Sequence, residues 1–263
     1  IEAIRSELGI IDDIDKLVSD WINKPKSYSS HQFTFLNRNH KFNNENIEWG
    51  FSKYGKLWAY NLNYMDFLLQ TDISKEEGVR LIELFVKQYS YNLTGKEPYP
   101  ISLRGINWIK FFSKNSINNT IFNKSLFHQY ECLFSNLEYH LLGNHLLENG
   151  FSLLFAAIYF NNEKFYKKAN EIIRKELNEQ ILNDGGHFEL SPMYHQIILD
   201  RLLDCINLVQ NNPVFTQQNS LGSIMVSKAE EMISWIQELT FEDGEIPLLN
   251  DSTYEIAPDT YQL

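Results

Sequence analysis

Apolar residues recur at three- and four-residue spacing along almost the whole chain, and alternation of period two nowhere lasts long enough to build a sheet. The expected fold class is therefore all-α. The spacing predicts a short helix around Ile11 to Trp21 and then a polar, aromatic stretch from Pro25 to Phe51 that reads as a long wrapped connection. Helices are expected to follow at about residues 56–70, 74–91, 101–114, 120–142, 145–160, 163–182, 191–210 and 223–240. Three starts carry their own chemistry. Ser74-Lys75-Glu76-Glu77 forms a capping box, Asn162 can cap the helix expected at 163–182, and Ser191-Pro192 is an N-cap followed by proline at the first helical position. So many helices with short links favour hairpins stacked as a ring over a four-helix bundle. No fixed-period repeat accompanies them. From Phe241 to Leu263 the pattern breaks: Asp243-Gly244 is a turn, Pro247 and Pro258 interrupt helices, and Asn250-Asp251-Ser252-Thr253 reads as a linker.

Composition changes this picture only in part. With 263 residues, 43% of them hydrophobic, the chain can bury a sizeable core, and its 14% of aromatic residues offers faces for sugar rings as well as for packing. A formal net charge of −11 argues against nucleic acid and anionic membranes as partners, and it also opposes an anionic substrate unless a local positive cleft draws it in. Cys132 and Cys205, with no CxxC pattern, read as small buried hydrophobes. No apolar run approaches the length of a membrane span. Because the chain opens on Ile1, any signal peptide lies outside it.

Three clusters could carry chemistry. In the first, Glu138 to Gly150, a single helix would place His140, Asn144 and Glu148 on one face with His145 beside Asn144. Such groups beside a run of leucines must each find a partner or cost about 1–3 kcal/mol, so they form either a site or a satisfied polar network. In the second, Asp184-Gly185-Gly186-His187-Phe188-Glu189 leads into a helix whose first turn holds Tyr194 and His195. The unpaired amides at a helix start favour a bound carboxylate and an ionised phenol. To serve as a base near neutrality, Tyr194 would have to ionise near 8 instead of 10, a change of roughly 2.7 kcal/mol. The helix end supplies part of that, and His145, His187 and His195 are the candidate cations for the rest. The plain reading of Tyr194 is an ordinary amphipathic residue at a helix start. In the third cluster, Arg104, Asn107, Trp108 and Lys110 fall within two turns. Arg104 on the Trp108 face suits a carboxylated sugar, although arginine on tryptophan is also common packing. There is no HExxH, phosphate loop or GxSxG elbow, and His140 and His145 are five apart, so no metal and no cofactor is expected.

Taken in order, Leu57-Trp58-Ala59-Tyr60-Asn61-Leu62-Asn63-Tyr64, Ser102-Leu103-Arg104 with Asn107-Trp108, Gly143-Asn144-His145-Leu146-Leu147-Glu148-Asn149-Gly150, and Asp184-Gly185-Gly186-His187-Phe188-Glu189 with Tyr194-His195 resemble the heparinase II/III family of polysaccharide lyases over about residues 33–255. The resemblance implies an incomplete (α/α) toroid of antiparallel hairpins at 33–240, a leading segment at 1–32, and a linker at 241–263 toward a β-sandwich beyond Leu263. It implies β-elimination on a uronic-acid glycan such as heparan sulfate or alginate, in a periplasmic or secreted setting. Asn144 would neutralise the uronate carboxylate and His145 would assist it or act as base. Tyr194 would pass a proton to the leaving oxygen and on some substrates also take the C5 proton. Arg104, Asn107, Trp108, His140, Glu148, His187, Glu189 and His195 would line the substrate site. In several relatives a further catalytic group comes from the sandwich. Two alternatives stand beside this reading: a helical-ring glycoside hydrolase using paired carboxylates from Glu138, Glu148, Asp184 and Glu189, and a glycan-binding or assembly module without turnover.

Overall fold

A computed structural model describes residue 17 and residues 21–43, 46–141 and 143–263, so the helix expected at Ile11 to Trp21 lies almost entirely outside the described residues. Among them are three short strands, β1 (Tyr28–Ser29), β2 (Gln32–Phe35) and β3 (Arg38–Lys41). Eight α-helices follow: α1 (Lys56–Tyr64), α2 (Lys75–Gln88), α3 (Pro98–Lys114), α4 (Thr120–Ser135), α5 (His145–Tyr159), α6 (Glu163–Gln180), α7 (Pro192–Asn211) and α8 (Gln218–Leu239). The chain divides into two compact units, one built mainly from residues 23–137 and the other mainly from residues 138–263 apart from 159–161.

In the first unit, the stretch expected to be a bare connection folds into an antiparallel sheet in the order β1-β2-β3, with Phe33 opposite His40 and Phe35 opposite Arg38. Only β2 alternates, with Phe33 and Phe35 buried between exposed Gln32 and Thr34, and four residues are too few to register as a period. The sheet is tied to α2 by one polar knot: the Tyr28 hydroxyl donates to Glu77, and Arg80 grips the same carboxylate with Nε at 2.8 Å and Nη2 at 2.7 Å. Ser74 caps α2 as expected, its hydroxyl accepting from the Glu77 N–H at 3.1 Å. The helix predicted to run to residue 70 stops at Tyr64 because Met65 turns into the left-handed region at φ +56°, and a 3-10 turn completes it. At the centre lies α3, buried at every position from Pro100 to Ser113. It starts three residues earlier than predicted because proline is a good first-turn residue. Gly105 lets α4 approach it, since a Cβ there would collide with the Tyr130 ring.

The second unit is centred on α5, whose described side chains from Leu146 to Tyr159 are all buried. From Phe151 to Tyr159 the helix is apolar except for Ser152, and truncating one of its core leucines such as Leu154 would cost about 2–5 kcal/mol. The chain then adds α6, capped by Asn162 accepting from Phe165 N–H at 3.0 Å, and α7 and α8, which pack on each other. The start of α8 is five residues earlier than predicted. Buried Gln218 explains it, accepting the N–H groups of Val214 and Phe215 at 3.1 Å and donating to the carbonyls of Val209 and Asn212. Cys205 is buried as expected, whereas Cys132 is only half-buried. Among the described residues no helix is long and apolar enough to cross a membrane.

Candidate functional site

The first of the three clusters is rearranged relative to expectation. The helix predicted over 120–142 ends at Ser135, residues 136–141 and 143–144 lie outside any helix, and His140 leaves the face it was to share with Asn144 and Glu148. His140 is exposed. Gly143 sits at φ +92°, a conformation that favours glycine, and a Cβ there would come within 2.9 Å of a Glu189 carboxylate oxygen. Asn144 then precedes the first residue of α5, its carbonyl accepting from Glu148 N–H at 2.9 Å. Its side chain is 4% exposed overall, and Nδ2 is buried with no hydrogen-bond partner. A buried amide donor without an acceptor costs about 1–3 kcal/mol, so the position is retained at a cost to stability.

His145 is oriented by a group that helical spacing cannot find. The Glu138 carboxylate meets His145 Nδ1 at 3.1 Å and also accepts from Asn149 Nδ2 at 2.9 Å, while the Glu138 N–H donates to Asn149 Oδ1 at 3.0 Å. Asn149 thus clasps both ends of Glu138. An acceptor-only carboxylate on Nδ1 selects the tautomer with the hydrogen there and makes Nε2 the basic nitrogen. The side chain of His145 is one-third exposed while that of Glu138 is buried, so the ring alone reaches outward. Glu148 is turned away from this work: it is fully buried, with Arg201 Nε at 3.3 Å, and Arg201 Nη1 also reaches Asp204 at 3.2 Å.

The second cluster is linked to the first through Glu189. Ser191 caps α7 as predicted, accepting from Tyr194 N–H at 3.4 Å, so Tyr194 stands in the first turn. Its phenol is held above its ordinary ionisation range, first by burial and then by the negative charges of Glu189 and Asp251. This reverses the expected lowering. Two of the three histidines that were to act as cations, His187 and His195, are interior and neutral instead: burial pushes His187 down to about 3 and His195 down to about 4. His195 accepts from His187 N–H at 3.3 Å through Nδ1, meets the Met232 carbonyl at 2.9 Å through Nε2, and stacks on Trp235. His187 Nε2 lies 3.1 Å from Gln180 Oε1, and Gln180 Nε2 donates to the Gly143 carbonyl at 3.2 Å. These two histidines are framework, and through Gln180 they brace the loop that delivers Asn144. Glu189 makes the link. Burial raises its carboxyl above the usual carboxylate range, against the lowering effects of the Asn144 backbone N–H and of His145, while Asp251 adds to the rise. One Glu189 oxygen is buried with no partner.

The third cluster belongs to the first unit and faces inward. Arg104 is fully buried, with Nε donating to Gln129 at 2.7 Å, Nη1 to the Asn63 carbonyl at 2.9 Å and Nη2 to the Gly95 carbonyl at 2.6 Å. It lies over the Phe85 ring at 4.4 Å, not over Trp108. Asn107 donates to the Tyr64 carbonyl at 2.9 Å and to Asp66, and Trp108 is fully buried with its indole N–H on Met65 sulfur at 3.1 Å. The donors of Arg104 and Trp108 are engaged in holding α3 to its neighbours, which is incompatible with the substrate-facing placement expected of them. Sequence reasoning left Asn149, Gln180 and Asp251 out of the site. Seven-residue separations (138 to 145, 180 to 187) that cross from loop or turn into helix give no periodic signal.

The heparinase II/III N-terminus family model matches residues 104–261, more than half of the chain. The chain belongs to this family. Residues 138–158 and 162–261 of its second unit, with Asn144, His145 and Tyr194, lie within the matched span. Among curated family relatives, the heparin-sulfate lyase of Bacteroides stercoris is 28% identical over 118 residues, which is 43% of this chain and 17% of that enzyme. The heparin-sulfate lyase of Pedobacter heparinus is 25% identical over 114 residues, 42% of this chain and 17% of that enzyme. Among solved structures, heparan sulfate lyase HepC from Pedobacter heparinus matches 94% of this chain and 44% of its own, with a TM-score of 0.59 at 18% identity. A heparinase III structure matches 78% of this chain and 36% of its own, with a TM-score of 0.63 at 18% identity. The chain therefore corresponds to less than half the length of these relatives. The structural likeness shows the fold, and with it the mostly helical, incomplete-toroid class expected from the sequence.

Proposed function

We propose that this chain carries the proton-transfer and carboxylate-binding groups of a polysaccharide lyase acting on a uronate-containing glycosaminoglycan. The observation that carries the reading is the buried, unpartnered Asn144 amide beside a histidine oriented by Glu138. An amide donor held in place at a stability cost is suited to a ligand carboxylate, and a uronate brings one. The names of the curated relatives, heparin-sulfate lyases, support the same substrate class.

In this reading the Asn144 amide donates to the uronate carboxylate and takes up part of the charge that develops as the C5 proton leaves, an effect worth several kcal/mol in the transition state. His145 Nε2 receives the C5 proton, because Nδ1 already carries hydrogen toward Glu138. The electron pair of the C5–H bond becomes the C4=C5 double bond and the C4–O bond breaks. Tyr194 gives its proton to the departing O4 oxygen. Burial and the neighbouring carboxylates favour a protonated phenol, which makes Tyr194 the acid of the pair rather than the base. The assay is the ultraviolet absorbance of the unsaturated sugar end on heparan sulfate and other uronate glycans. Wild-type protein is expected to generate it and Tyr194→Phe to lose it. New reducing ends without that absorbance would instead mean hydrolysis, with the raised carboxyl of Glu189 as acid.

A further inference from the structure

The tail after α8 meets α7 through Thr260, which accepts from Gln196 Nε2 at 3.2 Å, and meets the turn before α7 through Asn250 and Ser252. Asn250 Nδ2 donates to the carbonyls of both Glu189 (3.2 Å) and Leu190 (2.8 Å). Two residues on, the Ser252 hydroxyl lies 2.9 Å from the Ser191 hydroxyl and accepts the Met193 N–H at 3.3 Å. The segment it grips needs gripping. Leu190 sits at φ +53°, in the left-handed region that a leucine rarely adopts, and such a conformation persists only where the surroundings over-determine it. The turn has one bond of its own, from Leu190 N–H to the His187 carbonyl at 2.9 Å, and the tail supplies the others at its carbonyl side. The Ser191 hydroxyl is also the cap of α7, so Ser252 acts on the cap itself, three residues before Tyr194, and on Met193, one residue before it. Asp251, between the two clipping residues, is thereby brought close enough for its charge to act on both Tyr194 and Glu189.

We propose that Asn250 and Ser252 are positioning residues for Tyr194, clipping the Glu189–Met193 turn and the start of α7 so that the phenol and the Asp251 carboxylate keep a fixed relation. What the sequence presents as a linker is then a working part of the site. The role assigned to Tyr194 rests on the proposed lyase reading, but the clip can be read without turnover. The groups that act on the phenol are Glu189 and Asp251, and Glu189 in turn feels His145 and the Asn144 N–H.

The experiment is an NMR titration of the whole chain with 13C at the tyrosine ring carbon that bears oxygen, Tyr194 being assigned by its loss in Tyr194→Phe. In wild-type protein Tyr194 is expected to ionise above the exposed tyrosines. Asp251→Asn removes a negative charge with little change of shape, and should lower the Tyr194 ionisation without altering the Met193 amide resonance. Asn250→Ala with Ser252→Ala should lower it as well and also move the Met193 amide, and Ser252→Thr, which keeps the hydroxyl, should restore the amide. Neutral variants such as Asn219→Ala, at the start of α8, should change neither signal. If the double variant is folded but leaves both the Tyr194 titration and the Met193 amide where they were, the clip is refuted. If both signals move as expected while no unsaturated product forms on any uronate glycan, the clip stands and the lyase reading falls.

Discussion

Two polar clusters look alike in the sequence and differ in what the fold does with them. Around Arg104 in the first unit, the donors are answered from within, by three guanidinium bonds to Gln129, Asn63 and Gly95, an indole bond to Met65 and two amide bonds from Asn107, and what is left over is an acceptor, Asn107 Oδ1. Around Asn144 in the second unit, buried polar atoms are left over: Asn144 Nδ2, one oxygen of Glu189 and His187 Nδ1. A satisfied network holds a fold together, whereas unsatisfied buried groups detract from stability and are kept where a ligand completes them. The density of polar residues therefore does not mark a site. In the proposed reading what marks it is an unanswered amide donor able to meet a carboxylate, as at Asn144.

The sharpest way to break this comparison is at the proposed acid. Tyr194→Phe should lower formation of unsaturated product by about 10²–10⁴-fold, the usual worth of a positioned proton donor, while the thermal midpoint stays near that of wild type. Arg104→Ala should do the reverse. It strands three buried acceptors and should reduce stability by about 3 kcal/mol or more, read as a lower denaturant midpoint. Any activity of the folded fraction should survive. Asn144→Ala sits between them: a loss of about 10²-fold in turnover with stability unchanged or slightly higher, since the lost amide has no partner in the protein. Equal stability losses in Asn144→Ala and Arg104→Ala would erase the distinction.

A smaller test uses pH. His187 and His195 are kept neutral in the folded state, ionising near 3 and 4, but would ionise near 6.5 in the unfolded chain. The unfolded state therefore binds more protons below about 6.5. Their contribution is complete above that pH and is lost progressively as pH falls toward the folded values. Amide exchange in residues 180–195 should accelerate between pH 6.5 and 4 relative to residues 104–112, and His187→Gln should blunt the change. Smallest is Ser74→Ala, which removes the α2 cap, at about 1 kcal/mol, with no effect on turnover.

Much of the fold was readable from spacing because amphipathic helices write their period into the sequence: α2, α5, α6 and α7 lie close to their predicted bounds, and the caps at Ser74, Asn162 and Ser191 are where the residue types placed them. The sheet at 28–41 escaped because strands of two to four residues carry no period. The end of α4 at Ser135 escaped because the sequence after it remains apolar enough to mimic helix. At the candidate site, Asn144, His145 and Tyr194 stood out by motif, but their environment did not. Tyr194 is pushed up first by burial and then by Glu189 and by Asp251, which lies far along the chain, and whether a histidine is cation or framework likewise depends on burial that no local pattern reveals. Arg104 misled for the same reason: an arginine near a tryptophan reads identically whether it faces a ligand or a core.

The most direct measurement is the absorbance of unsaturated uronate released from heparan sulfate by wild-type protein and by Asn144→Ala, each alongside its unfolding midpoint. The account predicts that absorbance develops with wild-type protein and falls about 10²-fold with Asn144→Ala at an unchanged midpoint. Undiminished product formation by a stably folded Asn144→Ala protein would contradict it.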